Sequence, residues 1–493
     1  MVRDGRNDRS HAAQAELSGL EAVNPAEGPS GRSDQPAPAE RKAQPAQSVD
    51  LWETAFSREN MQRALQRVER NKGAPGMDQM TVAELRPWLK AHWEETRAAL
   101  DEGTYRPQPV RRVVIPKPNG GERELGVPTA LDRLIQQAIA QALTPIFDPE
   151  FSEHSFGFRP GRSSHQAVRA ARGYVEAGFE WVVDVDLERF FDRVQHDALM
   201  ARVARKVTNK RVLRLIRRYL EAGIMVEGVK QSSEVGTPQG SPLSPLLANV
   251  MLDDLDRELQ KRGHHFVRYA DDLRVHVKTE RAGQRVLKGI TDFIERRLKL
   301  KVNRQKSSVK HAARATVLGF GFLRRDGRVD IRIDPKALTR MRERIRRLTR
   351  RSGRIAMPVR IALLNRFISG WCAYFALADT PSLFEEADQW LRRRLRQIRW
   401  KEWKRFSARK RNLEALGIPT HTAREWAASN KAVAPDGLAA APARPSHAYW
   451  ADLGLRSFHP SYTRLRFTWR TAGCGPACPV VWEGGGKPRS LPY

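Results

Sequence analysis

Acidic residues are scarce in this chain of 493 residues: 56 Asp and Glu stand against 87 Lys and Arg, leaving a formal net charge of +31. An excess of that size points to a polyanionic partner, nucleic acid first. Cysteine is scarcer still. Cys372, Cys474 and Cys478 cannot build a disulfide framework in a chain of this length. No run of about 18 apolar residues occurs, so no helical membrane span is expected. The N-terminal stretch MVRDGRNDRSHAAQAELSGL lacks the apolar core of a secretory signal. These absences together lead to the expectation of a cytoplasmic protein with no membrane partner. Residues 1–48 have little to bury among Ala, Pro, Glu, Gln and Ser, and are expected to be disordered.

What the chain does contain is acid in unusual places. In FVRYADDLRVHVK, residues 266–278, the adjacent Asp271 and Asp272 interrupt an apolar-alternating run, which reads as two short strands joined at the acids. Aspartates are common in turns for backbone reasons alone, so a metal site needs a third carboxylate. WVVDVDLERFFD, residues 181–192, supplies it: Val183, Val185 and Leu187 alternate with Asp184 and Asp186, giving a strand with one acidic face. Two apolar strands that each end in Asp can pair in one sheet and bring Asp186 beside Asp271 and Asp272.

Other stretches fit around this pair. In GTPQGSPLSPLLANVMLDDLDREL, residues 236–259, Leu243, Leu247, Val250 and Leu259 have helical spacing, and Ser241-Pro242 fits an N-cap and first helical position. VVIPKPNGGERELGVP, residues 113–128, reads as a hairpin with Asn119-Gly120 at its tip. A three-residue loop at 119–121 would pair Lys117 with Arg123, and two cations on one face could grip a triphosphate; a solvated charged hairpin is the plainer reading. Strand-like and helix-like patterns alternate over residues 51–334, which predicts a mixed α/β region. From Pro335 the spacing turns helical. Leu338, Met341, Ile345 and Leu348 form one stripe, Leu364, Phe367, Trp371 and Tyr374 a second, and Ala387, Trp390 or Leu391, Leu395 and Ile398 a third, each with arginines on its other faces.

At this point the chain resembles group II intron-encoded reverse transcriptase/maturases of bacterial type. Eight blocks carry the resemblance in family order. They are NKGAPGMD (71–78), the stretch YRPQPVRRVVIPKPNGGERELGVPTALDRLIQQAI (105–139), FDPEFSEHSFGFRPGRSSHQAV (147–168), DVDLERFFDRVQHD (184–197), GTPQGSPLSPLLANV (236–250), RYADD (268–272), LKVNRQKS (300–307) and VLGFGF (317–322). The segment to about Gly417 resembles the thumb and maturase domain. The fold this implies is α/β plus all-α: a right-hand polymerase with fingers and a ferredoxin-like split βαβ palm over 51–334, then a basic helical thumb/maturase domain over 335–417.

The resemblance also implies roles. Asp186, Asp271 and Asp272, with the Leu187 carbonyl, would hold two Mg²⁺ ions for which Mn²⁺ may substitute. Lys117 and Arg123 match cations on the triphosphate of an incoming deoxynucleotide, Gln239 a residue that touches it, and Phe191 a gate under its sugar, with Phe190 pointing oppositely to the core. Lys306 matches a general acid for pyrophosphate, and Leu318, Gly319 and Phe320 a primer grip. Asp184 shares the acidic face but is not a family ligand. The implied partners are intron RNA, an RNA template and a DNA primer; Arg340, Arg344, Arg347 and Arg351, then Arg393, Arg396 and Arg399, are the expected RNA-binding cations. Splicing assistance and retromobility would follow. Against the family pattern, Cys474 and Cys478 form a single C-x3-C without a second pair, so neither a structural zinc nor an HNH endonuclease is expected, and 418–493 reads as a divergent tail or remnant DNA-binding region. A domesticated or defence-associated reverse transcriptase without an intron, and an RNA chaperone with a dead polymerase, are the competing readings; the three intact aspartates argue against the second.

Overall fold

The computed structural model describes residues 50–116, 122–226, 229–231, 240–353, 355–428 and 447–473. The expectations for residues 1–48, Lys117, Gln239, Cys474 and Cys478 fall outside them.

Three helices come first: α1 (Leu51–Phe56), α2 (Arg58–Asn71) and α3 (Val82–Glu102). The hairpin β1 (Val110–Pro116) and β2 (Glu122–Val127) follows, then α4 (Ala130–Phe147), α5 (Ser164–Glu176) and β3 (Trp181–Val185). The short α6 (Phe190–Arg193), α7 (His196–Val203) and α8 (Lys210–Glu221) lead to β4 (Ile224–Val226) and β5 (Val229–Gln231). Then come α9 (Ser244–Lys261), the hairpin β6 (His265–Tyr269) and β7 (Asp272–Val277), α10 (Glu280–Phe293), β8 (Ser308–His311), β9 (Thr316–Val317), β10 (Phe320–Arg325) and β11 (Arg328–Ile333).

From Pro335 on, the described secondary structure is helical: α11 (Pro335–Leu348), α12 (Met357–Phe375), α13 (Pro381–Glu402), α14 (Phe406–Ala415), α15 (Thr420–Ala428), α16 (His447–Asp452) and α17 (Phe458–Gly473).

The central sheet has the order β6-β7-β3-β8 with antiparallel neighbours. That is the strand order of a ferredoxin-like split βαβ. Side-chain alternation gives it two working faces. Val183, Val185, Phe266, Leu273 and Val275 point into one core with Ile139 of α4, Leu215 of α8 and Met251 and Leu255 of α9. Val182 and Val267 point into the other, shared with Val168 of α5, Phe320 and Ile331 of the β11-β10-β9 sheet, and Ile345, Leu364 and Leu395 of α11–α13. The acids lie at the end of this doubly covered sheet.

Several local expectations change. The β1–β2 register sets Arg123 against Ile115 and Glu122 against Pro116. Arg123 is therefore not the partner of Lys117. The helix expected at Ser241-Pro242 begins at Ser244-Pro245 instead. The Ser241 hydroxyl bonds the buried Gln136 side chain, and its carbonyl accepts from Ser244 N at 3.3 Å, so it closes a turn ahead of the helix. Phe190 and Phe191 share one helical turn and not a strand.

The region expected to be a divergent tail also holds structure. Trp450, Phe458 and Tyr462 are buried in the same core as α12 and α13, and each large apolar side chain removed from water is worth about 1.5–3 kcal/mol. The Asp388 carboxylate accepts from Phe458 N at 2.7 Å and His459 N at 2.9 Å, filling the orphan donors that open α17. The local pattern is too short to announce this; the partner surface of α12 and α13 creates it.

Candidate active site

The pairing of β3 with β7 sets Val185 against Leu273 and Asp184 against Arg274. Carried one residue further, the same register puts Asp186 across from Asp272. Directly opposed residues of an antiparallel pair have Cβ atoms about 4.5–5.5 Å apart. Asp271 sits between the strands, in the two-residue turn Ala270-Asp271 closed by the Tyr269–Asp272 pair. Ala270 takes a left-handed backbone, φ +58°, which costs a residue with a Cβ roughly 1–2 kcal/mol. Asp186 and Asp271 are half-buried and Asp272 is exposed. The three aspartates therefore meet at one end of one sheet.

Asp186 is fixed from its other side. Its N–H donates to Ser307 Oγ at 3.0 Å, and its carbonyl accepts from Asn303 N at 2.8 Å. Glu188 N donates to Lys301 O at 2.8 Å, and Leu187 forms an antiparallel bridge with Val302 between these bonds. In such a pair the residue's own N–H and C=O turn away from the partner strand. The Leu187 carbonyl thus faces the β7 side, where the other acids stand. The Lys306 ammonium lies 3.9 Å from Asp186 Oδ2, with its side chain 70% exposed. An exposed pair of this kind is worth about 0–1 kcal/mol, so Lys306 is near the acid without being tied to it.

Asp184 belongs to the same face. Arg274 Nη1 stands 2.9 Å from Asp184 Oδ1 and 4.0 Å from Asp272 Oδ1. Burial pushes the Asp184 carboxyl up, and Arg274 partly opposes that. Among the described residues no cluster of three or more His, Cys, Asp or Glu is closed tightly enough to hold a metal by itself. The donor set at the sheet end, hard carboxylate oxygens plus a backbone carbonyl, is of the kind that hard divalent cations take, with water and phosphate completing the shell.

Phe190 is buried in the core, while Phe191 is half-buried beside it, ring centroids 5.1 Å apart and edge-on. Leu318 and Gly319 form the two-residue turn of the β9–β10 hairpin, with φ +52° and +81°, both in the left-handed region that such turns demand. Gly319 O accepts from Asp334 N at 2.9 Å, Leu318 O accepts from the Tyr374 hydroxyl at 2.8 Å, and Phe320 is fully buried against Tyr374 and Phe375. Burial pushes Tyr374 up to about 12, so its hydroxyl stays a donor at neutral pH.

Along α11, Arg340, Arg347 and nearby Arg351 are exposed and Arg344 is half-buried; on α13, Arg393 is exposed while Arg396 and Arg399 are half-buried. Arg399 is paired with Glu402 at 2.8 Å. Arg394 is engaged in packing: it donates to Thr349 Oγ1 at 2.6 Å and stacks on Trp390. Between these helices lies an open hollow of about 600 Å³ lined by Arg350, Arg351, Ser352, Arg394, Gln397 and Lys401. Its lining carries four cations and no carboxylate.

Sequence reasoning overlooked the residues that hold the site in shape. Ser307 and Asn303 lie in LKVNRQKS, Tyr374 in the α12 stripe, and Arg268 in RYADD itself. Their types were visible, but nothing local shows which backbone atom each one reaches.

The chain is similar to known proteins over both its mixed and its helical region. Residues 115–322 match the reverse transcriptase (RNA-dependent DNA polymerase) family, and residues 338–417 match the group II intron maturase-specific domain. Protein YkfC of Escherichia coli is 32% identical over 299 residues, covering 52% of this chain and 78% of YkfC. The group II intron-encoded protein LtrA of Lactococcus lactis is 29% identical over 304 residues, covering 47% of this chain and 51% of LtrA. No helix among the described residues is long and apolar enough to cross a membrane. The chain belongs to the group II intron-encoded reverse transcriptase/maturases, RNA-directed DNA polymerases of right-hand fold that bind intron RNA in splicing.

Proposed function

We propose that Asp186, Asp271 and Asp272, with the Leu187 carbonyl, hold two Mg²⁺ ions, or Mn²⁺ in their place, at the polymerising centre. The observation that carries this reading is the β3–β7 register, which ends at Val185–Leu273 and so leaves Asp186 and Asp272 next at the same sheet end, with Asp271 in the adjoining turn. Bound there, the ions would lower the charge barrier to attack of a primer 3′-hydroxyl on a deoxynucleoside triphosphate. The chain's own groups supply the rest. Phe191, half-buried in the turn that follows Asp186, would bar a 2′-hydroxyl. Lys306, loosely paired with Asp186, is free to turn and give a proton to the departing pyrophosphate. Gln239, Lys117 and Arg123 would meet the nucleotide; in support, Gly240 approaches the backbone of Gly126 closely enough that a Cβ would stand 2.9 Å from its carbonyl, so the GTPQG stretch ends against β2.

In this reading the β1–β2 hairpin with its helices forms the fingers, the β6-β7-β3-β8 sheet the palm, and α11–α13 the thumb. The turn Leu318-Gly319 with Phe320 would grip the primer from the palm side. Arg340, Arg344, Arg347, Arg351, Arg393, Arg396 and Arg399 would bind intron RNA by its phosphates; of these, Arg351 lines the cationic hollow. Action in the cytoplasm accords with a basic chain of few cysteines. The test is extension of a DNA primer on an RNA template with Mg²⁺ or Mn²⁺, wild type against Asp186→Asn. Removing a carboxylate from the site should cost several kcal/mol of charge stabilisation, about 10²–10⁴-fold in rate. Unchanged extension by Asp186→Asn would remove it from the site.

A further inference from the structure

Arg268 precedes the acidic turn by two residues and is 1% exposed, in a protein whose other arginines mostly face water. Its guanidinium reaches one carbonyl of the turn and two side chains of α9. Nε donates to Asp256 Oδ1 at 2.7 Å, and Nη1 donates to Asn249 Oδ1 at 2.9 Å and to the Ala270 carbonyl at 2.8 Å. Asp256 and Asn249 are both wholly buried on α9. Asn249 Nδ2 in turn donates to the Gly157 carbonyl at 3.0 Å. Gly157 backs directly onto the turn: a Cβ there would stand 2.2 Å from Ala270 N and 2.9 Å from the Tyr269 carbonyl carbon. The segment leading to Gly157 is itself bonded to β6, with Arg268 N donating to His154 O and Phe156 N to Arg268 O, each at 2.9 Å.

We infer that Arg268, Asp256 and Asn249 are positioning residues that clamp Ala270 in its left-handed backbone and so fix where Asp271 and Asp272 present their carboxylates. This rests on the reading of those aspartates as metal ligands. The physical argument is one of need. A left-handed alanine is strained, and such a backbone persists only where the surrounding structure over-determines it. A buried ion pair adds little net stability, because desolvation offsets the attraction. What a planar, five-donor fork does supply is geometry: it fixes a carboxylate, an amide and a carbonyl at once, which an ammonium cannot. Outer-shell partners of this kind typically tune metal affinity or activity by about 10–100-fold when changed.

The test uses the full chain and a readout other than turnover. Binding of Mn²⁺ to the protein–primer–template complex is followed by loss of the free-ion electron paramagnetic resonance signal, alongside amide hydrogen exchange across 268–273. Arg268→Lys keeps the charge opposite Asp256 but loses the fork. Mn²⁺ affinity should fall about 10-fold or more, and the amides of Asp271 and Asp272 should exchange faster, while primer–template affinity without metal stays as in wild type. If Arg268→Lys does not fold, Asn249→Ala carries the test, with the same signs and a smaller effect. Wild-type Mn²⁺ affinity and exchange in a folded variant would overturn the clamp, as would a fall in melting temperature with no local change at the turn. Asp271→Asn is the control: if it binds Mn²⁺ as wild type does, the aspartate reading has failed instead.

Discussion

The Tyr374 hydroxyl donates to the Leu318 carbonyl at 2.8 Å, joining a helix of the maturase-specific region to a turn of the polymerase region. His165 extends the same joint, its Nε2 lying 2.6 Å from the Tyr374 carbonyl. The two matched regions are therefore hydrogen-bonded at the place proposed to hold the primer. Tyr374→Phe removes one donor and leaves the Leu318 carbonyl short of a partner. Primer-terminus affinity, read as the KM for a pre-annealed primer–template, should weaken several-fold with little change in melting temperature. An unchanged KM would make the bond a packing detail.

Phe191→Ala removes a half-buried ring five residues after Asp186 and costs the core less than Phe190→Ala would, because Phe190 is the fully buried ring of the two. Ribonucleotide incorporation should rise relative to deoxynucleotide incorporation in steady-state assays. Discrimination equal to wild type would return Phe191 to simple packing.

Affinity for RNA should fall steeply with salt, since each phosphate contact releases counterions. Arg340→Ala and Arg347→Ala remove exposed cations of α11, and each should flatten the slope of log affinity against log salt by about one. A slope unaltered in both variants would move the RNA surface elsewhere.

Splicing assistance and polymerisation should separate. Asp271→Asn/Asp272→Asn should abolish cDNA synthesis and leave protein-assisted splicing near wild type. Replacing Arg393, Arg396 and Arg399 by Ala should weaken intron RNA binding more than extension of a pre-annealed primer. Arg399 is held by Glu402, so most of the effect is expected from the exposed Arg393. Loss of both activities in each variant would refute the assignment of these surfaces.

Asp388→Ala should destabilise the C-terminal half by about 1–3 kcal/mol, since it leaves the Phe458 and His459 N–H groups without their buried acceptor. Thermal unfolding should show the loss, and protection of α17 amides should fall with it. Stability equal to wild type would mean that α17 is held by its apolar face alone.

The sequence by itself determined where the acids stand in the chain, that they end apolar strands, and that a basic helical region follows from Pro335. These are local facts: period-two alternation through Val183, Val185, Leu273 and Val275, and helical spacing through Leu338, Met341, Ile345 and Leu348 follow from backbone geometry alone. Tertiary structure decided the rest. It chose Leu391 over Trp390 for the buried stripe of α13, leaving Trp390 half-buried as a platform for Arg346 and Arg394. It began α9 at Ser244 because Ser241 finds Gln136, far away in the chain. It drew α16 and α17 onto α12 and α13, and it aimed Arg268 at the Ala270 carbonyl. Each of these depends on a partner distant in sequence, and a residue's type records what it can bond with, not which partner packing brings within reach.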